Sequence, residues 1–164
     1  MILKAIQERR SIRSYKNNPV SDEQIIKLIK AAQFAPNSHH NRSWEFIVIR
    51  NQDIKKVLYD LMGQGYIKDA PVLIVPTIDT TKSMRPIQDI STAAENIFLQ
   101  AASMGIGTVW KNVVKEKVSL IKKLLNIPQQ FTLINIIPVG YPKTKRRPHN
   151  DSDFDVKKIH YEEW

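Results

Sequence analysis

The stretch DISTAAENIFLQAASMGIGTVW, residues 89–110, decides the fold class of this chain. Its apolar residues recur at helical spacing and form one broad stripe. The stripe consists of Ile90, Ala93, Ala94, Ile97, Phe98, Ala101 and Ala102. Small alanines on such a stripe let another helix approach closely, and Gly105 and Gly107 end the helix before a short strand. The sequence therefore predicts a buried central helix over 89–104 that leads into a sheet.

Strands and further helices flank this central helix. Apolar runs and alternating patterns predict strands over 43–50, 70–79 and 131–141. Helices are predicted in MILKAIQERRS, in SDEQIIKLIKAAQFAP after a Ser21 cap, in NQDIKKVLYDLM after an Asn51 cap, and in KEKVSLIKKLLNIP. This order predicts a single α+β or α/β domain over 1–164, in which helices cover a central sheet.

Composition narrows the class of protein. The 164 residues are enough for one domain with a real core. The chain has no cysteine, which excludes disulfides and thiolate metal sites. We expect a cytoplasmic protein, because there is no signal sequence and no apolar run approaches the roughly 20 residues that span a membrane. The formal net charge of +9 favours anionic partners such as phosphates, nucleotides, nucleic acid or a membrane surface.

A basic cluster, RRSIRSY at residues 9–15, lies near the start of the chain. Arginine presents a planar fork of donors that matches phosphate oxygens, and Ser11 adds a hydroxyl. If the segment is extended, Arg9, Ser11 and Arg13 point to one side. Two interpretations stand at this point: a phosphate site, or a solvated helix end whose arginines face water.

The segment APNSHHNRSWEF, residues 35–46, joins a predicted helix to a predicted strand. Asn and Ser are typical of such turns, but turn formation does not explain His39, His40 and Arg42 crowded before a tryptophan. The two histidines are weak candidates for metal ligands, because the chain has no cysteine and only two other histidines. No metal site is predicted.

Two later segments carry glycine or charge. GIGTVWKNVV at 105–114 has its glycines before a strand, whereas a dinucleotide fingerprint needs strand, glycines and then helix, so a Rossmann fold is not predicted. GYPKTKRRPHN at 140–150 is either a basic surface loop or a second set of cations for the anion that RRSIRSY binds.

Together the four segments resemble the nitroreductase-like flavoenzymes. RRSIRSY is similar to that family's Arg-x-Ser-x-Arg/Lys opening, and APNSHHNRSWEF to its Ala-Pro-Ser-x-x-Asn-x-x-x-Trp-x-Phe loop and strand. DISTAAENIFLQAASMGIGTVW is similar to its central helix and following strand, VGYPKTKRRP to its Gly-Tyr-Pro and basic loop, and IHYEEW to its usual ending. The resemblance covers essentially the whole chain, in the same order.

The resemblance implies a three-layer α+β fold with a central mixed or antiparallel sheet flanked by helices. It also implies an intertwined homodimer that holds FMN at the subunit interface. The implied activity is that of an FMN-dependent NAD(P)H oxidoreductase, in which hydride passes from NADH or NADPH through flavin N5 to a nitroaromatic, a quinone or a similar acceptor. No nucleic acid, membrane or metal enters this activity.

The resemblance further implies which residues hold FMN. Those at the phosphate and ribityl end are Arg9, Arg10, Ser11, Lys145 and Arg146. Those that cover the ring from the partner subunit are Pro36, Asn37, Ser38 and His40. Those along the N5 side of the ring are Trp110, Lys111, Asn112 and Val113. Arg13 is implied beside flavin N1 and O2, where a fixed cation stabilises developing negative charge, and no catalytic side chain is required.

Several positions depart from the family pattern. His40 stands where the family often has Asn, and Asn112 where some members have Glu. Arg42-Ser43 replaces a frequent Gln-Pro. The span 62–71 is compressed, which indicates that the segment closing over the substrate is reduced.

Two features of the sequence itself also predict a homodimer. The apolar stripe of the central helix is too broad for one sheet to cover. Near the end of the chain, Ile159, Tyr161 and Trp164 have little local core to join.

Two alternative functions stay open. The first is a relative with other flavin chemistry, such as reductive dehalogenation or flavin breakdown. An acidic residue near the opening motif is expected for flavin breakdown, and Ser11 argues against it. The second is a nucleic-acid-binding module, suggested only by the net charge. It needs basic residues and aromatics on one face, whereas the basic clusters fall in the two loops that the flavin hypothesis already uses.

Overall fold

The structure, a computed structural model, describes residues 1–164. Its helices are α1 (Lys4–Glu8), α2 (Asp22–Gln33), α3 (Gln52–Met62), α4 (Tyr66–Asp69), α5 (Pro86–Ser103) and α6 (Lys115–Leu124). Its strands are β1 (Trp44–Ile49), β2 (Val72–Asp79), β3 (Gly107–Thr108), β4 (Lys111–Asn112), β5 (Phe131–Thr132) and β6 (Asn135–Gly140). The predicted order of helices and strands is confirmed, and α4 is an addition that the sequence pattern did not suggest.

The strands form one sheet in the order β1-β2-β6-β3, with β4 beside β6 and β5 beside β2. All pairings between these strands are antiparallel. One parallel bridge joins Ser11 to Thr108 at the edge formed by β3. The expectation of a mixed or antiparallel sheet is confirmed.

The strand predicted over 131–141 is divided into β5 and β6. Ile74 of β2 pairs with Ile137, whereas Ile78 pairs with Thr132. Four steps along β2 therefore correspond to five along its partner. Pro76 lies in β2 at this shift, and proline, which has no N–H to give to a ladder, is tolerated where a ladder is already interrupted.

A second break separates β3 from β4. Gly107 pairs with Gly140, and Lys111 pairs with Ile136, so both short strands keep one register with β6. The β6 residues opposite the gap are Ile137 and Pro138, and proline has no N–H to donate. The break leaves Trp110 outside the ladder, next to the site described below.

Helices cover both faces of the sheet, and β2 alternates between two cores. Val72 and Ile74 point into the core formed with α2 and α5. Leu73 and Val75 point into the core formed with α3, α4 and α6. A strand buried on both faces must be apolar at nearly every position, which explains the run VLIVPTID. The predicted three-layer α+β fold is confirmed.

The central helix α5 begins at Pro86 rather than at residue 89, because proline is favoured in the first helical turn, where no N–H is needed. It ends in a Schellman motif: the Ile106 N–H donates to the Ala101 carbonyl at 2.9 Å, and Gly105 adopts a φ of 69°. This turn reverses the chain directly into β3.

The apolar stripe of α5 is covered within the chain. Ile90, Ala93, Ala94 and Ile97 have no exposed surface, because α2 and the sheet pack over them. The argument that this stripe needs a partner subunit is therefore wrong.

Exposed apolar residues occur at both ends of the chain and at single positions between them, such as Phe34 and Met84. Ile2 and Leu3 are 58 % and 70 % exposed, and Tyr161 is 80 % exposed. Every residue from 143 to 164 is exposed, and Trp164 stacks only on His160, with ring centroids 4.4 Å apart. The prediction that the closing segment lacks a local core is confirmed. None of the helices is long and apolar enough to cross a membrane.

Candidate functional site

A cavity of about 560 Å³ opens at the C-terminal end of α5. Its walls come from three parts of the chain: residues 8–16, the turn from α5 into β3, and residues 141–148 after β6. The two basic segments singled out in the sequence therefore meet at one cavity, although more than a hundred residues separate them.

Backbone hydrogen bonds hold these segments together. The Ile12 N–H donates to the Thr108 carbonyl at 2.9 Å. The Lys16 N–H donates to Tyr141 at 2.8 Å, and the Lys143 N–H donates to Ser14 at 3.0 Å. The segment after α1 thus extends the sheet edge, and the loop after β6 runs beside it.

Gly107 sets the depth of the cavity wall. A Cβ atom at this position would lie 2.7–2.8 Å from three side-chain atoms of Ile12. Only glycine lets Ile12 lie this close to β3. The apolar part of the cavity wall includes Phe98, Ala102 and Ile106.

Basic side chains dominate the polar part of the cavity. They are Arg9, Arg10, Lys16, Lys143, Lys145 and Arg146, and Glu8 is the one acidic residue in the lining. Such an excess of cations around a concave surface attracts anions strongly. The cavity therefore suits an anionic ligand that also carries an apolar group.

Two of the arginines are held by neighbours. Arg9 Nε lies 3.7 Å from Glu95 Oε1 on α5. Partial desolvation raises the pKa of the Glu95 carboxyl, whose side chain stays 52 % exposed, and the charge of Arg9 opposes this rise. Arg10 Nη1 donates to the Arg147 carbonyl, which fastens the basic loop to the segment after α1. Arg147 in turn donates to Asp153 at 2.8 Å.

The structure places four of the predicted phosphate-end residues in the cavity lining: Arg9, Arg10, Lys145 and Arg146. Ser11 is half-buried in its bridge to Thr108, and Arg13 is exposed. Neither lines the cavity. Arg9 is the C-terminal cap of α1, so strand-like alternation does not begin early enough to put Arg9, Ser11 and Arg13 on one common face.

None of the four predicted ring-side residues lines the cavity; they lie further along the same sheet edge, where β4 pairs with β6. Trp110 is half-buried and meets Phe98 of the cavity wall edge-on, with ring centroids 6.4 Å apart. Lys111 is half-buried and Asn112 is exposed. The Val113 side chain lies in the core beneath α6, and its N–H donates to Ile134 at 2.8 Å. Neither the side chain nor the N–H of Val113 is therefore available to a ligand.

The predicted covering residues lie elsewhere, in the loop 36–42, which Asp89 holds from the first turns of α5. The buried Asp89 carboxylate accepts hydrogen bonds from the Ser38 N–H at 2.9 Å and from the Ser38 hydroxyl at 3.1 Å. It also accepts one from the Ser83 hydroxyl at 2.6 Å. The indole N–H of Trp44 donates to the Asp89 carbonyl at 2.9 Å.

The backbone of the loop 36–42 is held in an unusual conformation. His39, His40 and Arg42 have φ values of 52°, 55° and 51°. Such left-handed residues persist only where their surroundings enforce them, and they concentrate at functional sites. The Asn37 side chain enforces part of this conformation by accepting a hydrogen bond from the Arg42 N–H at 3.1 Å.

The loop 36–42 and the cavity lie at opposite ends of α5. Thirteen residues separate Asp89 from Ala102 in the cavity wall, which corresponds to about 20 Å along the helix axis. No residue of the loop lines the cavity. Within one chain, the structure does not bring Pro36, Asn37, Ser38 and His40 to the basic residues.

The compressed span 62–71 is packed against the protein body. Ile67 of α4 is completely buried. The Lys55 ammonium donates to the Ala70 carbonyl at 2.7 Å, and burial lowers the pKa of this lysine. Lys68 lies 4.4 Å from the centre of the Tyr59 ring. The span is therefore a short anchored helix.

Sequence reasoning missed several residues around these two regions. Lys16 and Lys143 line the cavity, yet the resemblance assigned them no role. Their charge and their place within the two basic segments were the available signals. Asp89 was taken only as the start of the central helix. Its position among apolar residues did not reveal that it accepts three hydrogen bonds.

Comparison with known proteins supports these observations. The model of the nitroreductase family matches residues 6–68 and 56–141. A protein of Methanothermobacter thermautotrophicus with the provisional name NADH dehydrogenase/NAD(P)H nitroreductase is 37 % identical over 99 % of this chain and 87 % of its own length. The FMN reductase [NAD(P)H] of Bacillus subtilis is 26 % identical over 86 % of this chain and 66 % of its own length.

A solved structure agrees with the sequence comparison. The FMN-dependent nitroreductase of Clostridium difficile R20291 superposes with a TM-score of 0.88 and 35 % identity, covering 98 % of each chain. Fold, motif order and sequence identity therefore lead to one conclusion: the chain belongs to the nitroreductase family.

Proposed function

We propose that this chain is an FMN-dependent NAD(P)H oxidoreductase that works as a homodimer, with each FMN held between two subunits. The observation that carries the proposal is the cavity at the end of α5, where basic side chains from two distant segments meet an apolar wall. The names of the B. subtilis and C. difficile relatives, which specify FMN, support the same cofactor.

The residues of the cavity fit FMN. Its volume of about 560 Å³ lies within the range typical of small-molecule sites. The phosphate fits the basic end, where Arg9, Arg10, Lys145 and Arg146 offer charge-assisted hydrogen bonds. The isoalloxazine ring fits the end towards Trp110, where Phe98 provides apolar surface. Glu8, as the only carboxylate in the lining, leaves the balance of charge strongly positive.

A second subunit completes the proposed site. The loop 36–42 lies about 20 Å along α5 from the cavity wall of its own chain. The same loop of a partner is therefore proposed to cover the ring, through Pro36, Asn37, Ser38 and His40. The exposed apolar residues at both chain ends supply surface for such a partner. Burying an exposed tyrosine or tryptophan contributes roughly 2–3 kcal/mol each.

FMN, when bound, supplies the redox chemistry, accepting hydride from NADH or NADPH and delivering it to a nitroaromatic, a quinone or a similar acceptor. The chain's own groups position this chemistry. Arg9 and Arg10 bind the phosphate, the former held in place by Glu95. Arg13 is proposed to place its cation near N1 and O2 of the ring, where it favours negative charge. The 110–113 segment and the partner's loop exclude water from the ring.

No side-chain acid or base is assigned a role in this proposal. Glu8 is the only acidic residue in the lining of the cavity, and no histidine lines it. A relative with other flavin chemistry, such as reductive dehalogenation, would use the same cavity, and the choice of acceptor separates the two. The nucleic-acid alternative is less well supported, because six basic residues line one concave cavity instead of forming a flat face.

The test combines absorbance, light scattering and kinetics on the purified chain. We expect a yellow dimer with two FMN per dimer, whose flavin absorbance is bleached by NADH or NADPH and restored by a quinone. A chain that stays colourless after incubation with FMN would contradict the proposed function. A yellow monomer would contradict the shared site alone.

A further inference from the structure

Two lysines lie side by side at the outer end of the cavity. Tyr15 and Pro142 form an antiparallel bridge, flanked by the hydrogen bonds from Lys16 to Tyr141 and from Lys143 to Ser14. Tyr15 is buried in the core, so the alternation of a paired strand places Lys16 and Lys143 on the opposite face. Both line the cavity.

This pair has no anionic partner within the chain. None of the ion pairs includes Lys16 or Lys143. The two residues are diagonal neighbours across the bridge, with backbone positions roughly 7–8 Å apart. Like charges on neighbouring side chains repel each other, and a bound anion relieves the repulsion.

The pair is also additional to the cations proposed for the FMN phosphate. That phosphate carries at most two negative charges near neutral pH. The cations already proposed to neutralise this charge are Arg9, Arg10, Lys145 and Arg146. Lys16 and Lys143 are therefore available for another anionic group.

The position of the pair along the sheet indicates which group this is. Three pairings mark positions along this edge. Lys111 pairs with Ile136 at the proposed ring end, Gly107 pairs with Gly140, and Tyr15 pairs with Pro142 beside the two lysines. The six residue steps from 136 to 142 span about 20 Å in an extended chain. The pair thus lies at the end of the cavity away from the ring, where the nicotinamide would stack.

We propose that Lys16 and Lys143 form a subsite for the 2′-phosphate of NADPH, and that the enzyme prefers NADPH to NADH. The inference rests on the proposed function, because it requires a pyridine nucleotide to stack on bound FMN. In an extended NADPH molecule the 2′-phosphate lies far from the nicotinamide. Cationic residues accommodate this phosphate, whereas a carboxylate that binds the ribose 2′-hydroxyl selects NADH. The one carboxylate in the lining, Glu8, forms its ion pair with Lys4, at 3.6 Å.

The test uses the FMN-loaded dimer and a double variant, Lys16→Gln with Lys143→Gln. Each substitution keeps the backbone groups that form the hydrogen bonds, and together the two substitutions remove two positive charges. Adenosine 2′,5′-bisphosphate and adenosine 5′-monophosphate are titrated by calorimetry as probes that differ only in the 2′-phosphate. We expect the wild type to bind the bisphosphate about tenfold more tightly and the double variant to lose most of this difference.

Kinetics provide a second measurement. The ratio of kcat/KM for NADPH to that for NADH is expected to fall about fivefold in the double variant, and the wild-type ratio is expected to fall with added salt. The matched control is Lys115→Gln with Lys123→Gln, which removes the same charge from exposed positions on α6. This control is expected to change the ratio by less than about twofold.

Four results of nucleotide binding and kinetics would overturn the inference. Two concern the probes: a wild type that does not distinguish them, or a double variant that still does. Two concern the kinetics: equal losses for NADPH and NADH, which would place the diphosphate of the nucleotide at the lysine pair, or an equal effect in the control variant. Loss of FMN from the double variant would assign the lysines to the flavin phosphate and also overturn it. A wild type that holds no FMN would instead contradict the proposed function itself.

Discussion

The two ends of α5 carry different kinds of functional structure. At its C-terminal end, a Schellman turn leads into a cavity lined by cations from two distant segments. At its N-terminal end, Asp89 holds the loop 36–42 in a left-handed conformation. The cavity has charge and space, whereas the loop has an ordered backbone and contributes no residue to the cavity of its own chain. In the proposed dimer, one protomer therefore contributes its cavity to one site and its loop to the other.

The largest expected effect comes from the exposed tail. Residues 157–164 form only local backbone hydrogen bonds, such as that from the Glu163 N–H to Tyr161. Deleting them is expected to leave the protomer folded but to dissociate the dimer and release FMN together, because the partner subunit would lose its contact with the apolar groups of the tail. Light scattering with absorbance measures both.

The control for the tail is Glu162→Gln with Glu163→Gln, which keeps the apolar side chains and is expected to stay dimeric and yellow. A truncated protein that also stays dimeric and yellow would show that the tail is dispensable. The cavity and the loop would then have to meet through another surface.

The next effect concerns the stability of the cavity wall. Gly107→Ala places a Cβ atom 2.7–2.8 Å from three atoms of Ile12. We expect the free energy of unfolding to fall by about 1–3 kcal/mol, the usual cost of overpacking. Denaturant titration measures it. Gly65→Ala is the control, since its nearest contact lies 3.6 Å away. Equal stability of the two variants would mean that Ile12 does not pack on β3 as described.

A third prediction tests the cation set of the cavity. Arg9→Ala is expected to weaken FMN binding by about tenfold or more, because it removes one charge-assisted contact to the phosphate. Fluorescence titration measures the dissociation constant. Arg50→Ala is the matched control, since Arg50 contacts Asp22 on another part of the surface. Unchanged affinity in Arg9→Ala would remove this residue from the site.

The smallest expected effect concerns Arg13, which the structure leaves exposed outside the cavity lining. If its side chain turns towards the ring in the dimer, Arg13→Gln lowers the two-electron potential of bound FMN by up to about 30 mV. Spectroelectrochemical titration decides this. A potential equal to that of the wild type would place Arg13 away from the ring.

Sequence reasoning predicted the layers of the fold well, because the pattern of each element matches its surroundings. Residues 70–79 were predicted to form a largely apolar strand, and the strand Val72–Asp79 is buried on both faces. Sequence reasoning failed where contacts between different elements determine the structure. The stripe of α5 was expected to need a partner, but α2 covers it. The strand over 131–141 was expected to be continuous, but its register shifts near Pro76.

The candidate site shows the same limit. RRSIRSY and PKTKRRP were expected to bind one anion, and the structure places both at one cavity. The arginines and lysines in both segments were the basis of this prediction. Lys16 and Lys143 lie near each other only because Tyr15 and Pro142 form a bridge. The contact between Asp89 and Ser38 likewise joins residues far apart in sequence. Such contacts between distant segments leave no local pattern.

The central claim, that each FMN site combines the cavity of one chain with the loop of the other, is tested most directly with mixed dimers. One chain carries Arg9→Ala with Arg10→Ala and keeps its loop, and the other carries Asp89→Asn and keeps its cavity. Each variant alone is expected to form a folded dimer that binds FMN weakly. In the mixed dimer, one site receives an intact cavity and an intact loop, so the account predicts one tightly bound FMN per dimer. A mixed dimer that binds FMN no better than either parent would contradict it.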